Sequence, residues 1–440
     1  MERPQPLGGV VPTARPPGGV LPPGRTPPGG RAERPRPRRF AAAVTSLLAF
    51  AATSLVAGPA AEATSEGPCA LPRTAAHHSL GLTTWNRAYP RPVRSLDAVM
   101  IFLSFPDSTP RSDPAELVAD HFPATSRFYE RASYGAFTLH PHPQLRWLPM
   151  PRASTAYGMR RDWEPARRTA YLRDALAAAD PSVDFSRYDL VYLVADPDAP
   201  GVDSDATKVV NFDRPMRADG TDIRRVVTVF ERHPPDRNVL AHETGHIFDL
   251  PDLYHRPTDG KGDWDTYVGD WDVMGSQFGM APDLLAWHKW KLGWLDRRQV
   301  RCVAASGPSL LTLEPVAAPP VAGRRTGTRL AVVRTGEDTA LAVEARAATG
   351  NDLHTCKEGV LIYRVRGRVP SGGGPVEVVD THPGSRACWD RSVYPPLADA
   401  PLGVGETFTV PGERPGEGTR VEVSDRTPAG AWTVKITPGV

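Results

Sequence analysis

The pentapeptide His242-Glu243-Thr244-Gly245-His246 constrains this chain more than any other segment. An α-helix places residues i and i+4 on one face, so a helix here lets two imidazoles grip one metal ion. Glu243 then projects from the adjoining face, within reach of a water at that metal. The plain alternative is a surface helix carrying two solvated histidines.

The residues that follow separate the kinds of metal site. A catalytic zinc takes three protein ligands and leaves one position open. No glutamate lies between Glu243 and Glu314, which argues against a third ligand of the thermolysin kind. In the metzincin arrangement the helix breaks after the second histidine and a ligand returns six residues on. That position is Asp252, preceded by Pro251, which cannot continue a helix. His255 is the rival third ligand, with a spacing that suits a tight return less well. Asp249 stands where the break wants a glycine, and aspartate tolerates the left-handed region better than most residues. Its carboxylate could also orient a histidine ring or replace Asp252 as ligand. Met274, in Asp272-Val273-Met274-Gly275-Ser276, fits a methionine turn beneath the metal, against the default of an ordinary core methionine.

Composition bounds the rest. The chain has 440 residues and a net charge of +2, too little to steer nucleic acid, so no nucleic-acid partner is expected. Residues 1–39 are rich in Pro, Gly and Arg and cannot bury enough apolar surface to fold, so they read as disordered. An uncharged run over 40–61 follows Arg38 and Arg39, and Ala61-Glu62-Ala63 closes the segment 40–63. It resembles a secretory signal cleaved near Ala63; a retained membrane anchor is the alternative. Either way, the remainder is expected outside the cytoplasm. Cys69, Cys302, Cys356 and Cys388 then allow two disulfides, with Cys356–Cys388 the preferred local pair and Cys69–Cys302 left over. Cys69 as a latent cap on the zinc is the weaker alternative. Asp259, Asp263, Asp265, Asp270 and Asp272 gather in a Gly-rich loop that could hold Ca2+, although their spacing does not match an EF-hand and a solvated loop is the plainer reading.

Residues 64–95 read as an N-terminal arm. Strand-like runs at 99–103, 190–194 and 226–230 alternate with helical patterns at 163–179, from Asp236, and over 283–292. An α/β domain is expected over 96–302. Beyond it, short alternating segments separated by Gly and Pro predict a smaller, sandwich-like all-β domain over 303–440.

The segments HETGHIFDLPDLY and GDWDVMGSQFGMAPDLLAWHKWKLGWL resemble the M6 family of secreted bacterial metallopeptidases, the immune inhibitor A type. AVMIFLSFPD and SRFYERASYGAFTL are similar to the start of that family's catalytic domain, and GVLIYRV and PVEVVD to the segment after it. The resemblance implies an α/β metzincin-like zinc peptidase domain. It also implies His242, His246 and Asp252 as Zn2+ ligands, Glu243 as the catalytic acid/base and Met274 as the methionine of the turn. The expected function is a secreted, monomeric zinc endopeptidase acting on polypeptide substrates, with the membrane involved only if the 40–63 segment is retained. Its substrate is expected to add as a strand near Val226–Phe230. Two alternatives stay open: a non-catalytic binding protein on a metalloprotease scaffold, and a zinc hydrolase of cell-wall peptide amides.

Overall fold

The computed structural model describes residues 67–257, 261–304, 307–320, 327–412 and 417–439. The expected disordered N-terminus, the 40–63 segment and Asp259 lie outside them.

β1 (Arg94–Ser104) leads through α1 (Pro114–His121) and α2 (Ala124–Ala132) to β2 (Phe137–Pro149). Next come α3 (Ser154–Tyr157), α4 (Pro165–Ala179), β3 (Leu190–Ala195), and a hairpin of β4 (Lys208–Ala218) and β5 (Thr221–Val229). Two short helices, α5 (Val239–Ile247) and α6 (Ala286–Lys291), complete this part. The strand order is β2-β1-β3-β5-β4. All neighbours run parallel except β4, which is antiparallel to β5.

Local sequence explains several boundaries. Asp113 caps α1 through the Ala115 N–H, with Glu116 bonding back and Pro114 pre-set in the first turn. Glu164 caps α4, and Pro165 opens it. The last helix starts at Ala286, three residues after Asp283, because Asp283 is drawn into a buried ion pair with Lys289 at 2.8 Å. α5 starts at Val239, after Asn238 in the left-handed region, later than the expected Asp236.

β1 and β3 are buried on both faces, which is why they read as unbroken apolar runs. Val99, Ile101, Leu103, Val191 and Leu193 face one core, shared with Tyr171 and Leu172 of α4. Met100, Phe102, Tyr192 and Val194 face the other, shared with Leu240 and Ile247 of α5. The arm contributes Leu71 and Leu80 to this second core although residues 67–93 form no strand or helix.

The C-terminal half is built from strands. β6 (Val300–Cys302), β8 (Leu330–Arg334), β9 (Thr339–Arg346), β10 (Gly359–Arg366) and β11 (Val376–Val378) form one sheet, ordered β11-β10-β9-β8-β6. The second, ordered β12-β13-β14-β7, contains β7 (Ser309–Leu313), β12 (Thr407–Pro411), β13 (Gly418–Arg426) and β14 (Trp432–Pro438). Period-2 alternation on β10 divides the work. Val360 and Ile362 join Val421, Trp432 and Val434 between the two sheets, while Leu361, Tyr363 and Val365 pack into the core beneath α6. The first sheet is thus covered on both faces and joins the two halves of the molecule.

Disulfides link Cys69 to Cys302 and Cys356 to Cys388, so Cys69 is not a free thiol that could cap a metal. Such bonds persist in oxidising compartments and fit an extracellular protein. No helix among the described residues is long and apolar enough to cross a membrane.

Burial at the end of α1 holds the His121 imidazole down to about 4, from an ordinary 6.5. Between those values the unfolded chain takes up a proton that the folded chain refuses, so this residue's contribution to stability falls as pH drops from 6.5 to 4. The linkage is worth at most about 3 kcal/mol. His121→Leu should flatten the fall in thermal midpoint between pH 7 and 4.5. Parallel melting curves for the variant and the parent across that range would refute this.

Candidate metal centre

α5 is buried on nearly every side. Tyr129 of α2 donates its hydroxyl to the Ala241 carbonyl, and Tyr192 of β3 pairs with the Thr244 hydroxyl at 2.9 Å. Gly245 faces the Met274 sulfur, to which a Cβ would come within 2.4 Å, so only glycine lets this turn of α5 rest on the methionine. Met274 is itself fully buried, and its carbonyl accepts from the Leu253 N–H at 2.9 Å.

The two histidines of α5 are oriented by backbone. His242 Nδ1 lies 2.8 Å from the Val273 carbonyl, and His246 Nδ1 lies 2.8 Å from the Leu250 carbonyl. Each contact puts the proton on Nδ1 and leaves Nε2 as the ligand lone pair. Asp252 Oδ1 lies 3.2 Å from His242 Nε2 and 3.0 Å from His246 Nε2. Among the described residues, this is the one group of three such side chains whose ligand atoms all fall within 4.8 Å of one another. Ligands on adjacent corners of a tetrahedron with bonds of 2.0–2.1 Å stand about 3.3 Å apart, so both N···O separations suit two ligands of one small metal ion.

The three groups perturb one another strongly. Burial opposes the charge on all three groups, but mutual attraction outweighs it. His246 rises to about 9 through the charge and hydrogen bond of Asp252, and His242 shifts in the same direction. Asp252 is held well below the usual carboxylate range by the two imidazoles. Glu243 is pushed up, mainly by burial and against the pull of His242 and His246. Its Oε2 accepts the Val209 N–H of β4 at 2.9 Å.

The group opens onto a cavity of about 250 Å³, whose walls include His77, Arg161, Lys208, Tyr254, Arg256 and Trp264. A neighbouring cavity of about 360 Å³ shares His242, Glu243 and Trp264 and adds the carboxylates Glu231, Asp236 and Asp265. Burial, then the nearby Asp263, pushes Asp265 up to about 7.

Asp249 takes the left-handed turn at φ 62° without glycine. Its carboxylate orients neither ligand histidine and is not a ligand itself. It accepts from Arg73 at 2.7 Å, His78 at 3.1 Å and Lys291 at 3.2 Å. Burial alone would raise it, yet these partners hold it well below the ordinary range. The His78 ring, so fixed, stacks 5.6 Å from the His246 ring. Burial lowers Lys291 to about 8, even with Asp249 beside it.

His255 stands apart from the metal group, its ring edge-on to Tyr267 at 5.1 Å. In the acidic loop, Asp263 caps a short turn at Asp265. Asp270 accepts from Met280, Ser392 and Val393, and Asp272 from Met274 and Leu285 while also pairing with His288. No three described aspartates of this loop converge as the metal group does. The expectation of a substrate edge near Val226–Phe230 is corrected. β5 is paired on both sides, and the open edge is β4, because the hairpin turn after β4 returns the chain as β5 between β4 and β3.

Several residues at the centre carry no local signal in the sequence. Ser371 reaches Asp252 across 119 positions, and Arg73 and His78 come from the arm. Tyr254 stacks against Trp264 at 5.3 Å. Burial first, then the charges of Asp252 and Glu243, push its phenol well above the ordinary range.

No protein-family model matches the chain, and no curated protein does. Among solved structures, wild-type OgpA from Akkermansia muciniphila is similar in two crystal forms. The TM-scores are 0.27 and 0.25, at 10% and 9% identity, over 80% of this chain and 97% and 96% of those chains. A likeness at that score bears on neither fold nor activity.

Asp249→Gly would keep the left-handed turn and strip a buried carboxylate from the cations of Arg73 and Lys291 and from the His78 ring, which burial keeps neutral by lowering it to about 4. Breaking such a cluster costs about 3–5 kcal/mol. Urea unfolding at neutral pH should show that loss; a change under about 1 kcal/mol would mean the cluster is not what holds the arm.

Proposed function

We propose that this chain is a zinc-dependent endopeptidase of the M6, metzincin-like kind, secreted after cleavage near Ala63 and acting on polypeptides outside the cell. The observation that carries the reading is the convergence of His242 Nε2, His246 Nε2 and Asp252 Oδ1, with the buried, non-ligating carboxylate of Glu243 on the same helix. Two imidazoles, one carboxylate and an open side toward a cavity are the donor set of a hydrolytic zinc.

Zinc, when bound, supplies Lewis acidity for the scissile carbonyl and for an attacking water. Glu243 takes the proton from that water and hands it to the leaving amine. The Val209 N–H fixes Glu243 Oε2, so Oε1 is the oxygen that carries the proton. Burial raises the affinity of this carboxylate for a proton, which suits a group that must hold one briefly. Nδ1 contacts to Val273 and Leu250 keep both imidazoles from rotating. The open edge of β4 runs along the cavity at Lys208, Val209 and Asn211, where an extended peptide can lie as an added strand.

Glu243→Gln should keep stoichiometric zinc by elemental analysis while casein or peptide-library cleavage falls by about 10²–10⁴-fold. Chelation should abolish parent activity, and zinc should restore it. Full activity in the Gln variant, or undiminished activity after chelation, would end this reading.

A further inference from the structure

Ser371, Gly372, Gly373 and Gly374 lie in the connection from β10 to β11, in the strand-built half of the molecule, yet this loop reaches the metal centre. Ser371 meets Asp252 twice. Its hydroxyl donates to Asp252 Oδ2 at 2.9 Å and accepts the Asp252 N–H at 2.8 Å. Beside it, the Gly372 N–H donates to the Asp252 carbonyl at 3.1 Å, and the Gly372 carbonyl accepts from the Arg256 N–H at 3.0 Å. His255 and Gly373 form an antiparallel bridge. The loop lies this close because Gly374, at φ 75°, has no Cβ; one would stand 2.6 Å from the Tyr267 ring.

An aspartate has two free torsions and two equivalent oxygens, so on an irregular segment its carboxylate can swing and exchange them. A hydroxyl anchored on the residue's own N–H while donating to Oδ2 removes that freedom. Oδ1 is left at 3.2 and 3.0 Å from the two imidazole nitrogens. We infer that Ser371 is the positioning residue for the third metal ligand, holding Asp252 so that Oδ1 alone faces the ion. The metal centre is therefore composite, and residues 96–302 lack a part of it. This inference rests on the metal-site reading above and deepens it.

The test uses the metal-stripped full chain. Zinc affinity is measured by chelator competition, and the Co2+ absorption spectrum reports ligand geometry, for the parent, S371A and S371T. S371A should bind zinc about 10–100-fold more weakly, with shifted Co2+ bands. S371T, which keeps the hydroxyl, should recover to within a few-fold. In a D252A background, S371A should change affinity less than about two-fold, since the serine acts through that carboxylate. Thermal midpoints of the stripped proteins should agree within a few degrees, and S371G is the second hydroxyl-free variant should S371A not fold. Parent-like affinity in a folded S371A or S371G, or an equal loss in the D252A background, would overturn the inference. A parent that takes up no zinc would instead remove the metal-site reading, and the first titration separates that outcome from the others.

Discussion

Two backbone carbonyls fix where this chain could hold a metal ion. Val273 and Leu250 accept the Nδ1 protons of His242 and His246, so both Nε2 lone pairs turn toward the same point. An imidazole otherwise rotates about two torsions and interchanges its nitrogens, and two such rings rarely meet at one point by chance. The carbonyls are themselves held. Val273 belongs to the turn that puts Met274 beneath α5, and Leu250 follows the left-handed residue that ends the helix region. The arrangement depends on contacts on both sides of α5, and each side carries a fully buried residue, Met274 on one and Leu250 on the other.

Three distant segments converge on this helix. The arm supplies Arg73 and His78, clamped on Asp249 and tied at its start by Cys69–Cys302. Strand β4 supplies the Val209 N–H to Glu243. The β10–β11 loop supplies Ser371. Buried carboxylates recur as the joining element: Asp249 at the arm, Asp272 under the turn, and Glu344 and Asp352 around the fully buried Arg346. Arg346 also donates to the Asp283 and Trp271 carbonyls, linking the strand-built half to the segment that carries Met274. Removing one member of such a network leaves its partners buried and unpaired, which makes the joints rigid and intolerant of change.

Much of the centre was legible because its signal is local. A helix repeat of 3.6 residues dictates that His242 and His246 share a face, and Pro251 excludes a helix beyond the turn. The central strands were legible because burial on both faces leaves an unbroken apolar run, as in 190–194. Other features had no such signal. β2 has no strand signal in the sequence, since Phe137–Pro149 mixes three prolines and two histidines on an edge where pairing, not hydrophobicity, makes the strand. β5 was mistaken for an edge because periodicity reports burial and not which neighbour lies alongside. The helix expected over 283–292 was overlong because Asp283 reads as a cap but serves Lys289.

The sequence by itself determined the chemistry available: two imidazoles one helical turn apart, a carboxylate between them, and another after a forced bend. It also fixed the cysteine inventory and the alternation that makes the C-terminal half strand-built. Only the tertiary structure decided which carboxylate faces the imidazoles, why Asp249 does not, and which distant serine steadies the one that does. The physical reason is range. Helix geometry and proline act over a few residues, whereas the orientation of a carboxylate depends on hydrogen bonds from residues more than a hundred positions away, which no spacing rule encodes.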